Sequence, residues 1–212
     1  MAPFPPLDHL VIAAPSLADL SSWWANAMGA PAAPGGAHTG LGTRNELAGL
    51  DDTTYVELIG PDPDQPPPSM PRPFGIDGLA TRRLVTFAVA VEDLDQACSA
   101  VRSAGIDPGE PRAMQRLRPD GVLLAWRLAV PTDPSLAGVM PFLIEWGATA
   151  HPAASLEPAA ALERLALQHP KHAQIAEAIE AATGQHIDVS AGPAGLVAEL
   201  STKAGGTLEV AS

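Results

Sequence analysis

A strand-then-helix phrase occurs twice in this chain, and a duplicated unit of that kind restricts the fold more than any other feature. The first copy runs Leu7-Asp8-His9-Leu10-Val11-Ile12-Ala13-Ala14-Pro15-Ser16-Leu17, and the second runs from Leu84 through Val91 to Asp93 and Leu94. Laying Leu17 on Leu94 sets the offset at 77 and places His9 on Thr86. Each copy is followed downstream by a hydrophobic strand holding one glutamate: Tyr55-Val56-Glu57-Leu58-Ile59 and Phe142-Leu143-Ile144-Glu145-Trp146.

Strand periodicity puts Leu7, His9, Val11 and Ala13 on one face and Leu10, Ile12 and Ala14 on the other. Pro15 ends the strand and Ser16 is an N-cap, with Asp19 at capping-box-like spacing. Leu17, Leu20, Trp24, Ala27 and Met28 then form a helical stripe closed by Gly29. A helix that follows so closely packs back on the apolar Leu10 and Ile12 face, which leaves His9 opposite. The same period lets Glu57 share the face of His9. A carboxylate on such an apolar strand has to be paired, hydrated or metal-bound.

Residues 30–38 read as an Ala/Pro/Gly loop, and strands are expected at about 41–49 and 55–60. Seven prolines between Pro61 and Pro73 exclude helix and inner strand. A stiff linker over 61–80 is therefore expected between a first module (1–60) and a second (81–148). The second module repeats the plan: strand 84–91, Asp93 as N-cap, helix 94–104, strands at 112–118 and 122–130 around an Arg118-Pro119-Asp120-Gly121 turn, and a last strand at 142–146. The tail (149–212) offers a strand at 163–168, a helix at 171–183 ending at Gly184, and short strands at 186–190, 195–201 and 206–210. It reads as a third, abbreviated βαβββ-like extension, and the class is α+β.

Charge and motif content narrow the function. A net charge of −12 repels phosphate, so neither nucleic acid nor an anionic membrane surface is an expected partner. No stretch has the ~18 consecutive apolar residues of a membrane span, and Met-Ala-Pro-Phe-Pro-Pro lacks the basic and apolar regions of a signal peptide. Cytoplasm is the expected compartment. The single cysteine, Cys98, rules out an internal disulfide and a Cys-rich zinc site, and its stripe with Leu94, Ala97 and Val101 makes it a core residue. Gly-x-Ser-x-Gly, Cys–His and glycine-rich phosphate motifs are all missing, which argues against covalent catalysis and nucleotide binding.

His38, following Gly35-Gly36 at a strand entry, leads into Thr43, Arg44 and Asn45. These supply an imidazole for proton transfer and an amide and guanidinium for an anionic or carbonyl ligand, or else a polar strand edge. Trp126 and Arg127 offer an aromatic wall and a cation on opposite faces, so one of them is structural. His151, His169, His172 and His186 fall near helix ends or loops and are expected to be solvated.

Two βαβββ modules with a polar residue on the first and last strand of each resemble the vicinal oxygen chelate superfamily. That group includes glyoxalase I, extradiol dioxygenases, fosfomycin-resistance enzymes and bleomycin-binding proteins. The chain is most similar to its glyoxalase-like domain proteins. The stretches that carry the likeness are Leu7 to Pro15, His38 to Asn45, Tyr55 to Ile59, Arg118 to Gly121 with Trp126-Arg127, and Pro141 to Trp146. The resemblance implies tandem modules forming a curved mixed sheet, with ligands for a divalent metal (Zn, Ni, Mn or Fe) at its mouth. Carried over by position, the metal candidates are His9, Glu57 and Glu145. Thr86 stands where a metal-binding member has histidine or another strong ligand, and falls to the substrate side. Catalysis would rest on Glu57, Glu145 and His38, and substrate binding on His38, Thr43, Arg44, Asn45, Thr86, Trp126 and Arg127. Two activities follow as expectations: a metal-dependent lyase, isomerase or dioxygenase acting on a small oxygenated metabolite, and a metal-free protein that sequesters an antibiotic or metabolite. A homodimer paired through the third module is a further expectation.

Overall fold

The computed structural model describes residues 7–117, 121–202 and 205–212. The N-terminal hexapeptide and Arg118-Pro119-Asp120 of the expected turn lie outside them. The first module consists of β1 (Leu7–Ala13), α1 (Leu17–Met28), β2 (Ala33–His38), β3 (Thr43–Gly49) and β4 (Tyr55–Pro61). The second consists of β5 (Arg83–Ala90), α2 (Leu94–Ser103), β6 (Arg112–Leu117), β7 (Leu123–Ala129) and β8 (Phe142–Glu145).

Their strands form one eight-stranded mixed sheet in the order β2-β3-β4-β1-β5-β8-β7-β6. β1 pairs parallel with β4 and β5 parallel with β8, while β1 and β5 meet antiparallel at the centre. The sheet curves until its terminal strands, β2 and β6, come together, giving a nearly barrel-shaped cup. Local chemistry sets the helices as expected. Ser16 accepts from the backbone N–H of Asp19, Asp93 accepts from that of Gln96, and Gly29 closes α1 at φ 72°.

The two faces of the sheet have separate cores. Leu10 and Ile12 join Leu20 and Trp24 of α1 and Leu94, Cys98 and Val101 of α2 on the outer side. Val11, Ala13, Ile59, Ala88, Phe142 and Ile144 line the inner side of the cup. The tail folds as β9 (Ala160–Gln168), α3 (His172–Thr183), β10 (Val189–Ser190), β11 (Gly195–Thr202) and β12 (Thr207–Ala211), a second sheet ordered β10-β9-β11-β12. Ile175, Ala178 and Ile179 of α3 and Leu196 and Leu200 of β11 are buried in the same outer core, within this chain, and α3 packs on α2.

Residues 30–38 are not all loop, because Ala33–His38 forms β2. A Pro/Gly-rich strand is tolerated there because β2 is a sheet terminus with a single ladder partner, β3. The proline-rich segment packs against the cup: its 3-10 turn, Pro73–Gly78, buries Ile76 among the inner apolar residues, with Phe74 and Leu79 packed around it.

Candidate functional site

β1 carries a bulge that decides the geometry of the cup. Its register with β5 shifts between Leu7 and His9, so Asp8 has no partner across β5. A bulge re-aims side chains that would otherwise alternate. Here it brings Asp8 Oδ1 to 2.5 Å from His9 Nδ1, although the two residues are adjacent. Asp8 is nearly inaccessible and is also approached by Trp146 Nε1 (2.8 Å) and His151 Nε2 (3.1 Å). Burial raises its pKa, but hydrogen bonds from His151 and His9 outweigh this and hold it well below the usual carboxylate range.

An ionised carboxylate only accepts, so the Nδ1 of His9 bears a proton and its Nε2 is left facing Glu57. His151 is fixed in the same way. Its Nδ1 accepts from the Ala153 N–H, so its Nε2–H donates to Asp8. His9 also stacks on Tyr55 at 4.5 Å and meets the edge of Phe142 at 5.3 Å. Burial, followed by the Asp8 and Glu57 charges, pushes the Tyr55 phenol well above its ordinary value, so it stays protonated.

Glu57 enters from β4 on the same inner face, with Oε2 3.9 Å from His9 Nε2. Its other oxygen accepts from Asn45 Nδ2 at 2.5 Å. Asn45 is the hub of the polar cluster. Its Oδ1 accepts from Arg116 Nη1 (2.6 Å) and the Gly36 N–H (3.1 Å), while Nδ2 also reaches His38 Nε2 at 3.3 Å. Arginine and a backbone amide can only donate, which fixes the amide orientation. His38 then accepts at Nε2 and donates from Nδ1 to Thr43 Oγ1 at 3.0 Å. Burial, with Arg116 adding to it and Glu57 opposing, holds the pKa of His38 below its ordinary value. With Nδ1 on Thr43 and Nε2 on Asn45, both nitrogens of His38 are engaged in bracing Asn45.

Strand alternation separates the remaining expected residues. Arg44 points outward from β3 to Asp62 and Asp64, 3.4 and 3.0 Å away, because alternation gives the inner face to its neighbours Thr43 and Asn45. Trp126 faces inward beside Trp146, with ring centres 5.5 Å apart, and Arg127 faces outward to Asp95 at 2.9 Å. Glu145 pairs across the ladder with Arg127 and so also lies outside, accepting from that guanidinium at 3.2 Å and from the Leu94 N–H at the start of α2 at 3.3 Å. Inner positions on β8 belong to Phe142 and Ile144. Thr86 donates its hydroxyl to the Gly138 carbonyl at 3.1 Å.

The donors therefore do not suit a divalent ion. Glu145 is engaged on the other face of the sheet, and among the described residues no group of three or more His, Cys, Asp or Glu is placed to hold a metal. The set His9, Glu57 and Glu145 is not assembled.

Asp8, Arg116, Trp146 and His151 join this polar cluster, and the sequence patterns pass over them. One signal for Arg116 was present in Gly35-Gly36. A Cβ on Gly35 would overlap Asn45 Oδ1 and Arg116 Nη1, and one on Gly36 would stand 2.9 Å from the Leu117 carbonyl. Those glycines let β6 close on β2. Among the other histidines, His169 is also buried, with its ring Nε2 2.8 Å from the Ser135 carbonyl.

Comparison with known proteins agrees with this architecture. A glyoxalase-like domain family model matches residues 7–183. A hypothetical protein from Staphylococcus aureus superposes with a TM-score of 0.61 at 14% identity, over 96% of this chain and 84% of that one. Methylmalonyl-CoA epimerase from Mycobacterium tuberculosis is more distant, with a TM-score of 0.44 at 21% identity, over 68% and 90% of the two chains. A search of curated proteins returned no match. The family match spans both modules of the cup and runs on through α3, so the chain belongs to the glyoxalase-like domain family of the vicinal oxygen chelate superfamily.

Proposed function

We propose that the cup takes up a small oxygenated metabolite and that His9 and Glu57 handle a proton on it without a metal. The observation that carries this reading is the 3.9 Å between His9 Nε2 and Glu57 Oε2. That separation is too long for a strong mutual hydrogen bond, yet one ligand oxygen or acidic C–H can lie within reach of both. Asp8 orients the imidazole, as a carboxylate behind a histidine does in other proton-transfer sites. Asn45 holds the second oxygen of Glu57 and keeps the reacting oxygen aimed at His9.

The roles are distinct. His9 accepts or returns the proton, Glu57 balances the imidazolium or acts as its counter-base, and Arg116 supplies positive charge behind Asn45. The bond made and broken is a C–H or O–H bond next to a carbonyl or carboxylate, so the class is isomerase- or lyase-like proton transfer.

The test uses protein dialysed against chelator. Small 2-hydroxy and 2-oxo acids and their thioesters are screened by thermal shift, and hits are followed for C–H/C–D exchange in D2O by NMR. Exchange by the chelated wild type that vanishes in Glu57→Gln and His9→Gln supports the reading. Exchange that appears only after Zn, Ni, Mn or Fe is restored overturns it.

A further inference from the structure

The candidate site is closed. His9 and Glu57 are only 4% and 7% exposed, although the reading above gives them a ligand. Among the described residues, two covers shut the cup. One is the Pro152–Ser155 turn, where Ala153 and neighbouring Leu156 lie over Leu47 and Tyr55. The other is the Pro73–Gly78 turn, where Phe74 packs on Phe142 at 5.7 Å and Phe142 in turn touches His9.

The covers are not held alike. The first is anchored through buried polar contacts: His151 to Asp8, and the Ala159 N–H to the Gly49 carbonyl at 2.8 Å, beside a bridge between Gly49 and Pro158. The second is clipped mainly by Arg72, which bonds the exposed Asp77 at 2.6 Å and the Gly42 carbonyl at 2.8 Å. It also contains a backbone outlier. Phe74 stands at φ 58°, ψ 21°, in the left-handed region that bulky residues avoid. Packing of its partly buried ring and of buried Ile76 against the inner apolar residues, together with the Arg72 clip, holds it there.

We propose that the Pro73–Gly78 turn is a displaceable plug, and that a ligand reaches His9 and Glu57 when Phe74 and Ile76 leave the cup. This rests on the proton-transfer reading for its purpose but not for its test, which needs no ligand. The space vacated lies between an apolar wall (Phe142, Val11, Ile59) and the polar cluster. The admitted molecule is therefore amphipathic, with its oxygenated end at His9 and an alkyl or aryl group where Phe74 now packs.

Access to His9 is measured with diethyl pyrocarbonate, reading each histidine by peptide mass spectrometry. His186 is exposed and sets the fast limit, and buried His169 reports loosening of the whole fold. The wild type should modify His9 far more slowly than His186. Phe74→Ala should raise the His9 rate about tenfold, since removing buried packing from a locally opening segment favours its open form. Asp77→Asn, at an exposed position, should raise it by a smaller factor and decides the matter alone if Phe74→Ala does not fold. His169 should not change in either variant. The proposal is overturned if wild-type His9 reacts as fast as His186, if neither variant changes the His9 rate, if His169 accelerates in step, or if Leu156→Ala opens His9 where the plug variants do not.

Discussion

Arg116 and Asn45 stand 71 residues apart in the chain and 2.6 Å apart in the fold. Their contact joins β6, the terminal strand of the second module in the sheet order, to β3 of the first module and closes the curved sheet across β2 and β6. It also completes the hydrogen-bonding of a buried amide that holds Glu57 toward His9. Closure of the cup and orientation of its carboxylate are thus one interaction.

Replacing Asn45 by Ala leaves Arg116 and Glu57 without their shared partner in a buried setting. The expected loss is about 2–4 kcal/mol, the range for breaking a buried charged hydrogen-bond network. Urea unfolding followed by tryptophan fluorescence measures it, and a loss below about 0.5 kcal/mol would deny Asn45 its place as hub.

Gly35→Ala puts a methyl group where Asn45 and Arg116 meet. The backbone at β2 must then shift, at a cost of about 1–3 kcal/mol typical of overpacking. A double-mutant cycle with Arg116→Ala should show strong coupling, and additivity would mean the glycine serves some other purpose.

Acid should destabilise the protein in two stages. The unfolded chain protonates His38 near its ordinary value of about 6.5, before the folded chain does, so stability falls as pH drops below that point. Asp8 has the depressed-carboxylate sign: its contribution is present above about pH 3.9 and is lost as pH falls toward the folded value. A pH series of unfolding free energies should lose its upper stage in His38→Gln and its lower stage in Asp8→Asn.

Glu145→Gln should leave ligand-dependent stabilisation unchanged, because Glu145 lies on the outer face with Arg127. Its effect on stability should be within about 1 kcal/mol, as for other partly exposed ion pairs. Loss of ligand binding in this variant would reinstate Glu145 as a site residue.

The framework was legible where local chemistry decides. The alternation of Leu10 and Ile12 against His9 and Val11, the caps at Ser16 and Asp93, and the helix end at Gly29 all depend on near neighbours, and all appear as expected. The pairing of His9 with Glu57 followed from period two alone. Glu145 was misplaced because strand periodicity fixes which residues share a face but not which face turns inward. β2 was missed because proline and glycine are strand breakers except at a sheet terminus. Asp8 was hidden by a bulge, which alternation cannot anticipate. Arg116 and His151 reach the cluster through closure of the cup and through the start of the tail, over distances that no local pattern encodes.

The antiparallel seam between β1 and β5 also has a consequence for synthesis. Every residue of β1 is buried, and one whole edge of the strand pairs only with β5. A growing chain that has released β1 through β4 therefore carries a hydrophobic strand with an open side until residues 83–90 emerge. Open apolar edges invite pairing with other chains. The intervening stretch, with seven prolines between Pro61 and Pro73, is ill suited to occupy that edge itself. Its composition keeps the vacant place free for β5 during the interval when a wrong partner could most easily take it.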